Sequence, residues 1–450
     1  MNGPHRDPSE RLASILPHLQ EVVRDTAPRV VKGRVRRLLG VVVHATVTDV
    51  RVGEICQLID PITKNRVMAE VTGLVDDMAV LTPVGDLAGL SSRTEVVPTG
   101  HELRIPVGPG LLGRVINALG EPIDGARWHP SQIEAHYPIG ALPPPPLQRQ
   151  LIGEPIQLGI RAADGLLTCA RGQRIGIFGQ PGSGKSTLLA TIVGGTDADV
   201  VVVALIGERG REVREFVDRQ IGPQGRKRAI VVAATSDRPA MERVKAAYVA
   251  TTIAEYFRDQ GKHVLLLMDS LTRFARAQRE IGLAAGEPAT RRGFPPSLFA
   301  ELPRLLERSG TAVAEGSITG IYTVLVEGDL SLDPVAEEVQ ALLDGHLVLS
   351  AELAKRNHFP AIDVLHSRSR LMEVVASAEH RADAARLRAL LARYNDVELL
   401  LRVGEYREGS DALADEAVVK IDSINAFLRQ PSSDFVSMEE TRRQMREIVR

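Results

Sequence analysis

Residues 179–187 read Gly-Gln-Pro-Gly-Ser-Gly-Lys-Ser-Thr and directly follow a short apolar run. The pattern G-x-x-x-x-G-K-S predicts a loop whose glycines allow a tight turn, so that successive backbone N–H groups point at phosphate oxygens. Lys185 would reach the β- and γ-phosphates, and the Ser186 hydroxyl would be a ligand of Mg²⁺. A chance glycine loop would not require the strand before it and the helix after it. We therefore predict a site for ATP and Mg²⁺ formed by Gly179, Gln180, Pro181, Gly182, Ser183, Gly184, Lys185, Ser186 and Thr187.

Two carboxylates follow apolar runs and could complete this site. Asp269 ends the run Val264–Asp269, where an acid can hold the Mg²⁺ shell; the alternative is a helix N-cap, although Ser270 could also cap. Glu208 follows the run Val200–Ile206 and could polarise the attacking water; the alternative is a surface carboxylate in a salt-bridged loop.

The elements that must position these residues are strands and helices in alternation. From 151 to about 370, apolar runs alternate with longer stretches of helical periodicity such as Met241–Gln260, which indicates a parallel α/β sheet. Ligands bind such sheets at the carboxyl ends of their strands, where Glu208 and Asp269 fall. The predicted strands are Arg174–Phe178, Val200–Ile206, Ala229–Ala234, Val264–Met268 and Tyr322–Val326.

The remaining regions differ in texture. Residues 1–25 carry apolar positions at helical spacing, interrupted by Pro17, and predict an amphipathic segment. Short β-rich runs in 26–100 predict a small barrel or sandwich. Residues 101–150 read as a loop-rich linker region that ends in four prolines. An ATPase domain at 151–370 and a C-terminal helical domain at 371–450, with Glu379–Val403 as a helix, complete the division.

Bulk composition excludes several other classes of protein. The 450 residues are 44% hydrophobic and 25% charged, with a formal net charge of −2, which gives no field that favours nucleic acid. Cys56 and Cys169 have neither disulfide nor zinc spacing. The start of the chain is polar, and the longest apolar run, Val200–Ile206, is too short to span a bilayer. We expect a cytoplasmic protein.

Longer motifs resemble the rotary ATPase superfamily, and type III secretion ATPases most closely. The resemblance covers nearly all of the chain from Val30 onward, and the motifs that carry it are the P-loop together with 113–125, Ala204–Arg214, Asp269–Arg276 and Tyr322–Gly328. It implies a RecA-like P-loop ATPase core with an N-terminal β-barrel and a C-terminal helical domain. The family consists of the cytoplasmic motors of injectisomes and of the flagellar export apparatus.

The resemblance also assigns roles to individual residues. Glu208 matches the catalytic glutamate of a Gly-Glu-Arg motif, with Arg209 as an orienting neighbour, and Asp269 matches the acid of the second Walker strand. Arg370 ends a Ser-x-Ser-Arg segment whose last arginine reaches the γ-phosphate of an adjacent subunit; Arg368 is the alternative for that role. Phe359 matches an aromatic that packs on adenine, and the alternative is an ordinary core phenylalanine.

A complete P-loop and a finger segment in one chain predict identical copies arranged head to tail in a closed ring. The resemblance implies a homo-hexamer, peripheral at the inner-membrane export apparatus, that drives chaperone release, unfolding and export of secreted proteins. Implied partners are a stator-like regulator, a central stalk, an export gate and chaperone–effector complexes, with no nucleic acid. The stretches 143–151 and 165–169 favour the injectisome over the flagellar branch. A RecA-like nucleic-acid motor and a non-catalytic scaffold subunit are the alternatives from other classes.

Overall fold

The protein was analysed as a computed structural model, which describes residues 32–313, 315–326 and 332–450. The predicted amphipathic segment 1–25 lies outside the described residues. The described residues pack as two compact units, one built from 32–83 with 87–101, the other from 84–86 with the described residues of 102–450. The units are described one at a time below.

The first unit is a closed β-barrel with strand order β1-β2-β5-β4-β3-β6. Its interior is apolar because residues alternate between the two faces of each strand; Val43, Leu58, Val71, Leu81 and Val96 are all fully buried. The sequence left a barrel or a sandwich open, and the closed strand order shows a barrel. Its strands are β1 (Gly33–Leu39), β2 (Val42–Thr46), β3 (Glu54–Ile59), β4 (Arg66–Val75), β5 (Met78–Pro83) and β6 (Glu95–Glu102).

The second unit is built on one large sheet. Its strands run in the spatial order β19-β18-β12-β17-β15-β13-β14-β8, with β16 pairing beside β17. Pairing is parallel from β18 to β8, whereas β19 is antiparallel to β18 and β16 is antiparallel to β17. The bounds are β8 (Val115–Ile116), β12 (Arg174–Gly179), β13 (Val200–Ile206), β14 (Ala229–Ala234), β15 (His263–Asp269), β16 (Gly310–Thr311), β17 (Ser317–Leu325), β18 (Gly345–Leu349) and β19 (Ile362–Ser369).

The strands predicted from apolar runs form the centre of this sheet. β13 and β14 have the predicted bounds, and every residue in them is buried, as expected for parallel strands covered on both faces. β12 and β15 extend the predicted strands by one or two residues, and β17 begins five residues before Tyr322.

Helices cover the sheet and lie beyond it. The predicted helix Met241–Gln260 is observed within one residue of its bounds, and so is Glu379–Val403. The helices are α1 (Arg161–Leu166), α2 (Lys185–Gly195), α3 (Gly210–Glu215), α4 (Gly222–Arg226), α5 (Ala240–Asp259), α6 (Leu271–Ala284), α7 (Pro296–Leu306), α8 (Pro334–Leu342), α9 (Ala351–Lys355), α10 (Met372–Val375), α11 (Ala378–Val403), α12 (Ala412–Leu428) and α13 (Met438–Val449). A π-helical turn, Phe216–Ile221, joins α3 to α4, and short 3₁₀ turns occupy Pro109–Leu111, Pro130–Gln132, Pro146–Gln148 and Arg291–Gly293.

Residues 101–150, predicted as a linker region, contain regular structure of their own. A small antiparallel sheet pairs β7 (Arg104–Val107) with β9 (Ala135–Pro138), and β8 extends the large sheet beside β14. A two-stranded pair, β10 (Pro155–Ile156) with β11 (Cys169–Ala170), follows. From residue 102 onward the region therefore packs within the second unit.

The C-terminal helices share a hydrophobic core with the sheet. Leu387 and Leu390 of α11 and Phe427 of α12 belong to the same buried cluster as Ile177 of β12. Polar side chains add to this packing, because Arg161 of α1 donates to the Phe427 carbonyl at 2.8 Å. No helix in the described part of the chain is long and apolar enough to cross a membrane.

Candidate nucleotide-binding site

The glycine-rich loop joins the end of β12 to the start of α2. Gly182 and Gly184 have φ of 84° and 86°, a left-handed conformation that glycine adopts without strain. A Cβ on Gly184 would also lie only 3.2 Å from the Phe359 ring. The loop consequently delivers Lys185 to the first turn of α2, where backbone N–H groups and the helix dipole favour an anion.

Lys185 lies against Asp269, the last residue of β15. Its Nζ donates to Asp269 Oδ1 at 2.6 Å, and Thr323 of β17 donates to the same oxygen at 2.7 Å. The N-cap of α6 is Ser270, whose side chain accepts from the Arg273 N–H. Asp269 is thus held at the sheet edge by Lys185 and Thr323, and the capping role falls to Ser270.

Glu208 follows β13 and is held by Arg273 of α6. Arg273 Nε lies 3.1 Å from Glu208 Oε1, Nη2 donates to Oε2 at 3.2 Å, and Nη1 donates to the Gly207 carbonyl at 2.6 Å. Burial and, next, the negative charge of Asp269 raise the pKa of Glu208 to about 7, against the opposing charges of Arg273 and Lys185. Its carboxyl therefore titrates near neutral pH, in the range suited to proton transfer or water orientation.

The residues present fit a phosphate chain with Mg²⁺. The Ser183 hydroxyl is buried and has no partner within the described residues, so a donor is left available inside the loop. The Ser186 side chain is exposed at the start of α2, one residue after Lys185. A hydroxyl, a carboxylate and an ammonium at one sheet edge provide oxygen ligands for a hard cation and a charge for phosphate.

Phe359 forms one wall of a cleft beside the loop. It is 40% exposed, which does not agree with an ordinary core phenylalanine. The cleft has a volume of about 300 Å³ and a mainly apolar lining that includes Phe359, Leu188 and Pro431. Its position at Gly184 and Thr187 places an apolar surface where the base of a bound nucleotide would extend from the loop.

The remaining predicted residues are three arginines, of which Arg209 is linked to Glu208 through Glu212, the carboxylate that hydrogen-bonds Glu208. Arg209 has a 75% exposed side chain and pairs with Glu212 at 2.8 Å, while Arg273 is the arginine that contacts Glu208. Arg368 and Arg370 are both exposed at the end of β19. The orienting neighbour predicted for Glu208 was Arg209, whereas the arginine in contact with the carboxylate is Arg273.

The direction of β19 sets the position of Arg370. Its first residue, Ile362, pairs with Leu349 at the level of Gly179, whereas its last residue, Ser369, pairs with Gly345 at the level of Ile175. The end of β19 therefore lies at the edge of the sheet opposite the P-loop, roughly 13 Å away at the rise of a β-strand. Lys185 contacts Asp269 of β15, which lies four strand positions from β19, or about 19 Å at the spacing of neighbouring strands, so Arg370 cannot reach Lys185 of its own chain.

Arg273 and Thr323 are the contacts that the sequence reasoning did not assign. Both belong to motifs already singled out, Asp269–Arg276 and Tyr322–Gly328. Their positions in the sequence could have identified them. Arg273 follows the end of β15 by four residues, and Thr323 precedes the end of β17 by two, and both strands end at the site. The last two residues of the second motif, 327–328, lie outside the described residues.

Family models match most of the chain. Residues 35–100 match the β-barrel domain and residues 159–369 the nucleotide-binding domain of the ATP synthase alpha/beta family. Residues 376–447 match the "T3SS EscN ATPase C-terminal domain". The type 3 secretion system ATPase of Sinorhizobium fredii is 57% identical over 92% of this chain and 91% of its own length. The chain belongs to the type III secretion ATPases.

Other members of this ATPase family agree in sequence and in structure. The flagellum-specific ATP synthase of Bacillus subtilis is 46% identical over 91% of this chain and 93% of its own length. The assembled ATPase EscN of the enteropathogenic E. coli type III secretion system superposes with a TM-score of 0.88 at 48% identity, covering 93% of this chain and all of that one. EscN in complex with its central stalk EscO gives 0.85 at 47% identity, with the same coverage. The predicted ATP-hydrolysing activity with Mg²⁺ and the three-part fold are confirmed.

Proposed function

We propose that this type III secretion ATPase, of the injectisome branch, hydrolyses ATP at interfaces between identical copies of itself. The observation that carries the proposal is the placement of Arg370 at the sheet edge opposite its own P-loop. An arginine needed at the γ-phosphate must then come from another copy. Copies related head to tail offer the P-loop edge of one to the Arg370 edge of the next, and such contacts close as a ring.

Each residue has a separate task in the proposed reaction. On binding ATP, Lys185 leaves Asp269 for the β- and γ-phosphates. The freed Asp269 carboxylate and the exposed Ser186 hydroxyl would hold Mg²⁺. The Mg²⁺ ion neutralises charge on the phosphates when bound. Glu208, ionised above its pKa, orients and polarises the attacking water, and Arg273 holds its carboxylate. Arg370 of the neighbouring copy stabilises the charge that develops on the γ-phosphate, a contribution of about 10³–10⁵ in rate.

Our proposals for the C-terminal tip and for the wider assembly extend what is described for the relatives. EscN is described in complex with a central stalk, and we extend that arrangement to this chain, with its α11–α12 hairpin near 404–411 facing a stalk. We likewise expect a hexamer, peripheral at the export apparatus, that meets a regulator, an export gate and chaperone–effector complexes. The higher identity of the Sinorhizobium relative compared with the Bacillus flagellar one supports the injectisome branch.

The alternatives from other classes make different predictions. A nucleic-acid motor would be stimulated by single-stranded nucleic acid, whereas we expect no stimulation. A non-catalytic scaffold subunit would not depend on Glu208, whereas Glu208→Gln should abolish turnover and leave ring formation unchanged.

The decisive test mixes two inactive chains, Lys185→Ala and Arg370→Ala, before assembly. In mixed rings some interfaces pair the intact P-loop of one chain with the intact arginine of the other, so part of the activity should return. Differential tags confirm that rings contain both chains. Absence of recovery in such rings refutes an arginine that acts between copies.

A further inference from the structure

The Arg370 segment is anchored at the sheet edge by backbone hydrogen bonds through Asp344, the residue before β18. The Arg370 N–H donates to the Asp344 carbonyl at 3.0 Å, and the Asp344 N–H donates to the Arg174 carbonyl at 2.9 Å. These backbone bonds hold the exit of β19 to the start of β12. They leave open what fixes the direction in which the exposed Arg370 side chain leaves the sheet.

Gln173 is the side chain at this junction, and it is fully buried. Its Nε2 donates both to the Asp344 carbonyl at 3.2 Å and to the Ser369 hydroxyl at 3.1 Å. Its Oε1 accepts from the Ala170 N–H at 2.8 Å. A buried amide with its donors and acceptor satisfied in this way is rigid, because breaking any one bond leaves a polar group unpaired.

Two neighbours complete the hydrogen-bond network around Gln173. The Ser369 hydroxyl, which accepts from Gln173, itself donates to the Thr168 carbonyl at 2.8 Å. Gly345 makes room for it, since a Cβ there would lie 2.6 Å from the Arg368 carbonyl oxygen and 3.2 Å from Gln173 Nε2. Strands β18 and β19 can therefore approach closely enough for one amide to reach both of them.

We propose that Gln173 is a positioning residue for Arg370, fixing the arginine that its own chain supplies to the neighbouring copy's site. The inference rests on the proposed function, in which Arg370 acts between copies. Gln173 contacts the residue before Arg370 and the carbonyl that accepts the Arg370 N–H, so it fixes the backbone on the N-terminal side of the arginine. An apolar side chain of the same volume in place of Gln173 would keep the packing but would not orient Arg370.

The prediction is that Gln173 serves the site to which its chain lends an arginine and not the site that holds its own P-loop. Gln173→Leu keeps the approximate volume and removes all three side-chain bonds. In uniform rings it should lower kcat on the order of 10- to 100-fold, the cost of misplacing a catalytic group by about an ångström, with KM for ATP unchanged. A role in packing alone does not predict this separation.

Mixed rings locate the effect on one chain. The reference mixture is Lys185→Ala with Arg370→Ala, in which the first chain supplies the arginine and the second the P-loop. Adding Gln173→Leu to the Lys185→Ala chain should abolish most of the recovered activity. Adding it to the Arg370→Ala chain should leave recovery at the reference level.

A milder pair of variants guards against misfolding. Ser369→Ala removes the hydroxyl that receives Gln173, and Ser369→Thr retains it, so the first should repeat the one-sided loss and the second should restore recovery. Equal loss in both mixtures, or loss only on the P-loop chain, overturns the role of Gln173 while leaving the shared site intact. No recovery in the reference mixture overturns the shared site itself and the role of Gln173 with it.

Discussion

Removing the positive charge beside Glu208 should move the pH dependence of hydrolysis, and Arg273→Gln is the variant that tests this. Arg273 contacts both carboxylate oxygens of Glu208 and opposes the rise in its pKa. Without the guanidinium, the carboxylate loses its closest positive charge, so its pKa must rise further above about 7. In the proposed reaction Glu208 acts when ionised, so the acid limb of the rate profile should shift to higher pH.

The size of the shift follows from the geometry. Opposite charges this close change a carboxyl pKa by about 1–3 units, and the Arg273 side chain is 29% exposed, so we expect about 1–2 units. At pH 7.5, a rise of about 1.5 in the pKa lowers the ionised fraction of Glu208 from about three-quarters to roughly one-tenth, a loss of about eightfold. Above about pH 9.5 the variant should approach the wild-type rate, because Glu208 is then mostly ionised in both proteins.

The assay is the pH profile of kcat/KM for ATP hydrolysis, which reports groups of the free enzyme. Ionisation of ATP affects wild type and variant alike, so it cancels in their ratio. Arg211→Gln is the matched control, because Arg211 is exposed in the first turn of α3, is not among the groups that shift the pKa of Glu208, and should leave the acid limb in place. A uniform drop at every pH, with the limb unmoved, would refute the assignment and leave Arg273 as a support for the Gly207 carbonyl only.

Three further predictions concern other parts of the molecule. Phe359→Ala should raise KM for ATP about 5- to 30-fold with kcat little changed, since stacking on a base is worth about 1–2 kcal/mol, and Phe359→Tyr should stay near wild type in the same steady-state assay. Arg308→Met leaves Glu255 buried without its ion pair and should cost about 3–5 kcal/mol in urea unfolding, with Arg304→Met as the exposed control. Deleting residues 1–25 should reduce co-sedimentation with membranes or regulator while leaving ATPase activity intact; unchanged co-sedimentation would reject that role for the segment.

Long buried strands were predictable because burial on both faces leaves one continuous apolar run. Val200–Ile206 is such a run, and its bounds in the structure are those read from the sequence. β8 is two residues long and offers no periodicity to detect, which is why its region reads as a linker. The contact between Arg273 and Glu208 joins the ends of two adjacent strands, and no spacing within the sequence encodes which strands are adjacent.

Strands β18 and β19, at one side of the sheet, escaped prediction for a different reason. β18 and β19 alternate buried residues with partly exposed ones, so neither appears as a continuous apolar run. Their order and direction come from packing against β12, which is a tertiary property. The P-loop half of the site was therefore readable from residue types and spacing, whereas the position of Arg370 required the sheet.

The polarity of one edge strand decides whether this fold can hold a complete site within a single chain. Phe359 and Arg370 flank β19, and an antiparallel strand carries its two ends to opposite edges of the sheet. Phe359 consequently lies at its own P-loop, and Arg370 lies at the far edge beside Gln173 and the start of β12. Had β19 run parallel to β18, its last residues would have reached the P-loop edge and a single copy could have closed its own site. The antiparallel edge thus separates the two halves of the site by the length of β12 and makes the neighbouring copy a requirement for the proposed reaction.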